Sequence, residues 1–138
     1  MLLARTFFAI LTLCVIAASA YKEELRKTMQ GCKNGQEVTD AELEEFLKPL
    51  IPTTTDEKCL MACVFKAFNV IINGTYDPRL ALAVSQDLMK DDPEKVKKIK
   101  DIIEHCGDDV PKKMDNECDL AGEIMQCVVK YEKAMGLA

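Results

Sequence analysis

Apolar residues recur at helical spacing through nearly all of the chain that follows residue 20. Near the C-terminus, Leu120, Ile124 and Val128 lie four residues apart and define one face of a predicted helix, while Glu123 and Lys130 belong to its outer face. No segment alternates apolar and polar residues with a period of two over a useful length, which is the pattern of a half-buried strand. The pattern predicts an all-α fold, a compact bundle of about six helices.

Helix-capping residues between the apolar stripes supply the predicted boundaries. Thr39 with Glu42, and Thr54 with Glu57, match the capping box that opens a helix. Aspartate followed by proline, or a lone asparagine, opens three later helices. The first predicted helix covers residues 23–30 and is followed by Asn34-Gly35, which ends it. The second begins at Thr39 and is bounded by Pro49 and Pro52, and the third covers residues 56–73. The fourth begins at Asp77-Pro78, the fifth runs from Asp92-Pro93 to Gly107, and the sixth begins at Asn116.

The third predicted helix is apolar over most of its circumference, so we expect it to be surrounded by the other helices. We place its end at Asn73-Gly74, because this dipeptide readily adopts the left-handed conformation of a helix C-cap. The same Asn73 begins a sequon for N-glycosylation, Asn73-Gly74-Thr75. We favour the cap as the interpretation of this dipeptide.

The first 20 residues have the pattern of a secretory signal peptide. Arg5 precedes an apolar run, and Ala18-Ser19-Ala20 fits cleavage before Tyr21. The run is too short for a membrane span, and no later segment reaches the ~20 apolar residues that a span needs. We expect one secreted, extracellular domain over residues 21–138. Without Arg5 it has 17 basic and 23 acidic residues, a net charge of −6 that argues against nucleic acid or anionic membranes as partners.

Cleavage of the leader removes Cys14 and leaves six cysteines, as a disulfide framework in a secreted chain requires. Cys118 and Cys127 lie about 13 Å apart along a helix, too far to bond to each other, and a bridge from Cys59 to Cys63 within one helical turn would be strained. Excluding these two bridges leaves ten of the fifteen pairings open.

The cysteine spacing resembles that of the insect odorant-binding proteins, in the pheromone-binding and general odorant-binding branch. The similarity covers the whole mature chain, and its most specific features are the three residues between Cys59 and Cys63 and the eight between Cys118 and Cys127. The resemblance implies the pairs Cys32–Cys63, Cys59–Cys118 and Cys106–Cys127, and an internal hydrophobic cavity. Three bridges would let a domain of this size tolerate such a cavity.

The resemblance also implies a carrier that binds and transports small hydrophobic molecules inside the bundle, with a chemosensory receptor as a further partner and a monomer or weak dimer as its state. Ser85 and Tyr131 are the candidates for orienting a ligand, and the residues at the C-terminus from Met135 to Ala138 could form a small lid. The predicted wall consists of Phe46, Leu50, Met61, Phe65, Phe68, Val84, Ser85, Leu88, Met89, Ile103, Val110, Met114, Leu120, Ile124, Val128 and Tyr131.

Two other functions compete with the carrier. An enzyme is disfavoured because His105 is the only histidine and has no aspartate beside it, which leaves little for a catalytic triad or a zinc site. We therefore expect no catalytic residues, no metal and no cofactor. The second alternative is a secreted helical interaction or signalling protein whose core is solid. A single histidine next to a bridged cysteine also makes a histidine-driven pH switch unexpected.

Overall fold

The computed structural model of the chain describes residues 22–137, apart from the side chain of Leu88. The predicted leader and Ala138 of the predicted lid lie outside the described residues. The first helix, α1, covers residues 22–32. The remaining elements are α2 (Asp40–Phe46), α3 (Thr55–Ala67), β1 (Ile71–Ile72), β2 (Thr75–Tyr76), α4 (Pro78–Met89), α5 (Pro93–Asp109) and α6 (Glu117–Ala134). The prediction of an all-α bundle of about six helices is confirmed.

Helix α3 lies at the centre of the packing. It packs against α6, while α5 packs against both α4 and α6. The buried residues form two clusters that meet at α3, because Val64 belongs to the smaller cluster with α1 and α2, and Met61 and Ala62 belong to the larger one with α5 and α6. Helix α3 therefore joins the two clusters, but it is less enclosed than expected, since only Met61, Ala62 and Val64 of its residues are buried.

The predicted helix starts agree with the structure. The Thr39 hydroxyl accepts a hydrogen bond from the Glu42 amide, and the Glu42 carboxylate accepts one in return from the Thr39 amide. Thr54 and Glu57 form the second capping box in the same way. The N-caps of α4, α5 and α6 are Asp77, Asp92 and Asn116. These positions need only local hydrogen bonding, which explains why the sequence predicts them well.

The predicted end of the third helix was wrong, because α3 stops at Ala67 rather than at Asn73. Asn69 has a φ of 60°. Its amide donates to the Lys66 carbonyl, and the Val70 amide donates to the Phe65 carbonyl at 2.8 Å. These two hydrogen bonds form a Schellman motif with asparagine in the left-handed position. The apolar run that follows is too short for its periodicity to separate a helix from a strand.

A two-residue hairpin replaces the last predicted turns of that helix, so the prediction of no strand was also wrong. Ile71 pairs with Tyr76 and Ile72 pairs with Thr75. Asn73 and Gly74 have φ values of 50° and 71°, as a type I′ hairpin turn requires at both central residues. The left-handed conformation predicted for Asn73-Gly74 therefore occurs in a hairpin turn and not in a helix cap. The pleat buries Ile71 and Tyr76 and leaves Ile72 47% exposed.

Two further boundary predictions were wrong. Gly107 does not end α5, which continues to Asp109. A methyl group on Gly107 would lie only 3.2 Å from a side-chain carbon of Pro78, so the glycine permits α4 to approach α5 closely. Helix α2 ends at Phe46, before the predicted bound at Pro49, and Leu50, predicted on the cavity wall, is 49% exposed in the loop that follows.

Three disulfides link the helices. Cys32 at the end of α1 bonds to Cys63 of α3, Cys59 of α3 bonds to Cys118 of α6, and Cys106 of α5 bonds to Cys127 of α6. This is the pairing that the family resemblance implies. Within residues 22–137, no helix combines the length and the apolar character needed to cross a membrane.

The hairpin tip gives a stability prediction. Replacement of Gly74 by alanine should destabilise the fold by at least about 2 kcal/mol, because φ is left-handed and the added methyl would lie 2.5 Å from the Met114 carbonyl oxygen. Urea unfolding measures the change. Gly31→Ala is the matched control, since no atom lies within 4 Å of the added methyl and its backbone is helical, so it should be neutral or slightly stabilising. Equal effects of the two variants would contradict the described hairpin.

Candidate functional site

A cavity of about 210 Å³, partly open to solvent, lies between the helices. Its wall comes from α3, α4, α5, α6 and the hairpin, with contributions from α1 and from the end of α2 and the loop after it. The wall is mainly apolar, and four of its side chains are able to hydrogen bond through polar atoms: Lys48, Tyr76, Ser85 and Glu132. An apolar space with a few polar groups is the usual form of a small-molecule site.

More than half of the predicted wall residues lie together on this cavity. They come from the end of α2 and from the inward faces of α3 to α6. These residues are Phe46, Met61, Phe65, Phe68, Val84, Ser85, Ile103, Ile124 and Val128.

Several predicted wall residues lie elsewhere. Leu120 is 0% exposed and packs in the solid part of the core, together with Val110 at the C-terminal end of α5. Met89 packs against the outside of the main cluster. Met114 borders surface grooves beside the hairpin, and Leu50 borders a second depression. The side chain of Leu88 lies outside the described part of the chain. Amphipathic spacing finds the buried face of a helix but does not say whether that face meets protein or empty space.

Tyr131 does not line the cavity. Its hydroxyl donates a hydrogen bond of 2.6 Å to the Asp109 carboxylate, and its ring stacks on His105 with the ring centres 5.1 Å apart. The hydrogen bond to Asp109, followed by burial, raises the pKa of the Tyr131 hydroxyl. Tyr131 therefore joins α6 to α5, and the expectation that it orients a ligand has no support in its position.

Ser85 lies on the wall as predicted, but its hydroxyl proton is already used. It donates a 2.8 Å hydrogen bond to the Ala81 carbonyl one turn earlier in α4. Lys48, at the edge of the wall, is largely exposed and pairs with Glu45 at 2.6 Å. The Ser85 proton is therefore used within α4, and the Lys48 ammonium is paired at the exposed edge of the wall.

Tyr76, Glu132 and the exposed Lys48 are polar wall residues outside the predicted set, and the first two have a buried polar atom. The Tyr76 hydroxyl oxygen and Glu132 Oε2 are both buried, and neither has a hydrogen-bond partner among the described residues. Burial, and then the negative charge of Asp77, raise the pKa of Tyr76 to about 12. Burial also raises the pKa of the Glu132 carboxyl. Unpaired polar atoms at a buried surface are costly, so their presence in the same cavity calls for a partner.

A sequence signal for Glu132 did exist. It follows Ile124 and Val128 at intervals of four and so continues the inward stripe of α6. Because its side chain is charged, a selection of apolar residues along this stripe leaves Glu132 out. Tyr76 carried no comparable signal, because its inward direction depends on the hairpin that the sequence did not predict. The apolar wall residues outside the predicted set are Leu25, Leu47, Pro49, Val64, Val70, Ala81, Ile99 and Met125.

A second, more open depression of about 520 Å³ adjoins the cavity. Phe46, Lys48 and Met61 contribute to the walls of both. The exposed side chains of Leu50 and Ile51 belong to the second depression. The loop between α2 and α3 therefore borders both spaces. At the C-terminus, Met135 and Leu137 pack against the main core.

A helical bundle linked by three disulfides around an apolar cavity defines a class of small-molecule-binding domains. The profile described as the PBP/GOBP family matches residues 17–131, and the chain belongs to this family. Its curated relatives include general odorant-binding protein 28a of Drosophila melanogaster, 30% identical over 89% of this chain and 87% of the relative, and general odorant-binding protein 19d of the same species, 25% identical over 91% and 87%. A solved structure of the odorant-binding protein dmelOBP28a from Drosophila melanogaster is similar, with a TM-score of 0.65, 27% identity, and coverage of 84% of this chain and 95% of the other.

The buried hydroxyl of Tyr76 gives a prediction for alkaline pH. Because folding raises its pKa from 10.0 to about 12, the unfolded chain loses this proton first as the pH rises. The free energy of unfolding should therefore fall between about pH 10 and pH 12, by at most roughly 3 kcal/mol from this group. Urea unfolding after brief exposure to each pH measures the change. Tyr76→Phe should remove this part of the loss and Tyr131→Phe should keep it, whereas identical profiles for the wild type and Tyr76→Phe would contradict the described burial.

Proposed function

We propose that this chain is a secreted extracellular carrier of small hydrophobic molecules, and that the cavity of about 210 Å³ is its binding site. The observation that carries the proposal is the cavity itself, an apolar space inside a disulfide-linked bundle of the odorant-binding family. The names of the relatives support odorants or similar volatile compounds as the ligand class.

The volume limits the size of a ligand in this conformation. An apolar cavity of ~150 Å³ holds benzene, so about 210 Å³ corresponds to a compound with roughly eight to ten non-hydrogen atoms. Removing roughly 250 Å² of apolar ligand surface from water contributes about 6 kcal/mol. This alone corresponds to a dissociation constant of about 40 μM, and the entropic losses of binding make the expected affinity weaker than that.

The composition of the wall supports a broad ligand range within that size. Phe65 and Phe68 contribute rings, and Met61 and Met125 contribute flexible thioethers that can adjust to different shapes. Longer ligands would need the wall shared by the two spaces to move. Phe46 and Met61 are the apolar side chains in that wall, and their displacement would connect the cavity to the depression beneath Leu50 and Ile51.

The proposed extracellular location has two supports. Residues 1–20 have the pattern of a signal peptide, and three disulfides suit an oxidising compartment. We propose no catalytic role, because His105, the single histidine, stacks on Tyr131 between α5 and α6 and is absent from the cavity wall. The cavity favours the carrier over a signalling protein with a solid core.

Filling the cavity should abolish binding without unfolding the protein. Val84→Phe places a larger side chain on the wall and should weaken binding of naphthalene by at least about tenfold, since little space for two fused rings would remain. The binding is measured by naphthalene fluorescence. Val96→Phe is the matched control, since Val96 is similarly half-buried on α5 and absent from the walls of both described spaces.

The same experiment separates the carrier from the solid-core alternative. A carrier binds naphthalene as wild type and as Val96→Phe, and loses it in Val84→Phe. No binding to the wild type would remove the proposed function, while equal binding to all three proteins would place the ligand outside this cavity.

A further inference from the structure

Two polar atoms of the cavity wall need a partner that the described residues do not supply. Lys48 is exposed to solvent and pairs with Glu45, and Ser85 donates to its own helix, so neither is a buried group without a partner. The hydroxyl oxygen of Tyr76 and Oε2 of Glu132 are buried and unpaired. Both residues line the same cavity.

The position of Tyr76 is fixed by its backbone. Its amide donates to the Lys112 carbonyl at 2.9 Å, and the next amide, that of Asp77, donates to the Val70 carbonyl at 2.8 Å. Pairing with Ile71 in the hairpin turns the side chain inward, where it is only 3% exposed. Since the pKa of the hydroxyl is raised to about 12, the group stays neutral at physiological pH and can both donate and accept a hydrogen bond.

Glu132 presents a hydrogen-bond acceptor to the cavity that also contains the Tyr76 hydroxyl. It lies in the last two turns of α6, on the stripe of Ile124 and Val128, and makes no ion pair within the described part of the chain. Burial raises the pKa of this carboxyl, so its ionised form needs a higher pH than that of an ordinary glutamate. In the ionised form the carboxylate has acceptors only, and Oε2 needs a donor from a bound molecule.

A ligand group that both donates and accepts satisfies both atoms, and a hydroxyl is the simplest such group. A ketone or ester can accept from Tyr76 but leaves Glu132 Oε2 without a donor. An ammonium can donate to Glu132 but has no lone pair for the Tyr76 proton, and it carries a second charge into an apolar space. A carboxylate would repel Glu132. A hydroxyl donates once and accepts as well.

We propose that the cavity selects small, mainly apolar alcohols or phenols, whose hydroxyl donates to Glu132 Oε2 and accepts from the hydroxyl of Tyr76. This selectivity rests on the proposed carrier function and adds the ligand class to it. The apolar remainder of the ligand fills the space between Phe65, Val84 and Ile103. Carboxylate ligands of the same size are excluded by the charge of Glu132.

The test uses three compounds of nearly the same shape with the mature protein at slightly alkaline pH. 2-Phenylethanol carries the hydroxyl, propylbenzene has a methyl group in place of the hydroxyl, and phenylacetate has a carboxylate in place of the CH2OH group. Isothermal titration calorimetry, or ligand-observed NMR for weak complexes, gives the affinity of each compound. The readout is the ratio of the 2-phenylethanol affinity to the propylbenzene affinity. A substitution that only changes the size of the cavity affects both affinities equally and leaves this ratio unchanged.

Tyr76→Phe should lower this ratio about fivefold, and Glu132→Met about tenfold, since the second variant removes a hydrogen bond to a charged group. Glu132→Met should also raise the affinity for phenylacetate about tenfold, a change opposite in sign to the loss for 2-phenylethanol. Glu123→Met, on the exposed face of the same helix, is the control and should change neither quantity.

The outcomes distinguish this proposal from the carrier function. If the wild type binds none of the three compounds, both fail. If propylbenzene binds and the ratio is unchanged in either Tyr76→Phe or Glu132→Met, the carrier survives and the hydroxyl selectivity is overturned. Circular dichroism verifies that each variant is folded. The wild type also tests the proposal without any substitution, because it should bind phenylacetate more weakly than 2-phenylethanol.

Discussion

The three disulfides are the constraint on which the cavity depends. An unfilled space of about 210 Å³ costs about 5 kcal/mol at ~24 cal/mol per Å³, comparable to the whole stability of a small domain. The bridges close loops of 21, 31 and 59 residues, and loop-closure entropy assigns each roughly 3–4 kcal/mol. Together they exceed the cost of the cavity. The bridges therefore offset the packing that the space leaves out.

The hairpin between α3 and α4 places Tyr76 on the cavity wall. Its tip is held by the Glu117 carboxylate, which accepts from the Gly74 amide at 2.9 Å and pairs with Lys66 at 2.6 Å. Lys66, followed by the Gly74 amide, lowers the pKa of Glu117, so this contact remains ionised at neutral pH. The Met114 amide in turn donates to the Gly74 carbonyl. A rigid hairpin fixes Tyr76 at the wall, which favours recognition by a preformed site.

Local chemistry explains which parts of the fold could be predicted. Thr39 with Glu42, and Thr54 with Glu57, need only their own backbone to form caps, and the structure contains both boxes. The end of α3 could not be placed because Val70-Ile71-Ile72 fits either a helix or a strand by periodicity. Within the site, the inward stripes correctly brought Phe65, Val84 and Ile124 to the wall, but placed Leu120 there too, although it packs in the solid core.

The sequence by itself determined the helical class, the family resemblance of its cysteine spacing and the apolar faces of the helices, because these features depend on residues close together in the chain. Only the tertiary structure decided where the core is solid and where it is hollow, since that depends on how helices distant in sequence cross. It also decided that Tyr131 joins α5 to α6 and that Tyr76 and Glu132 meet the cavity. Tyr76 and Glu132 are candidate ligand-binding groups because their polar atoms are buried without a partner, and burial can be read only from the packed structure.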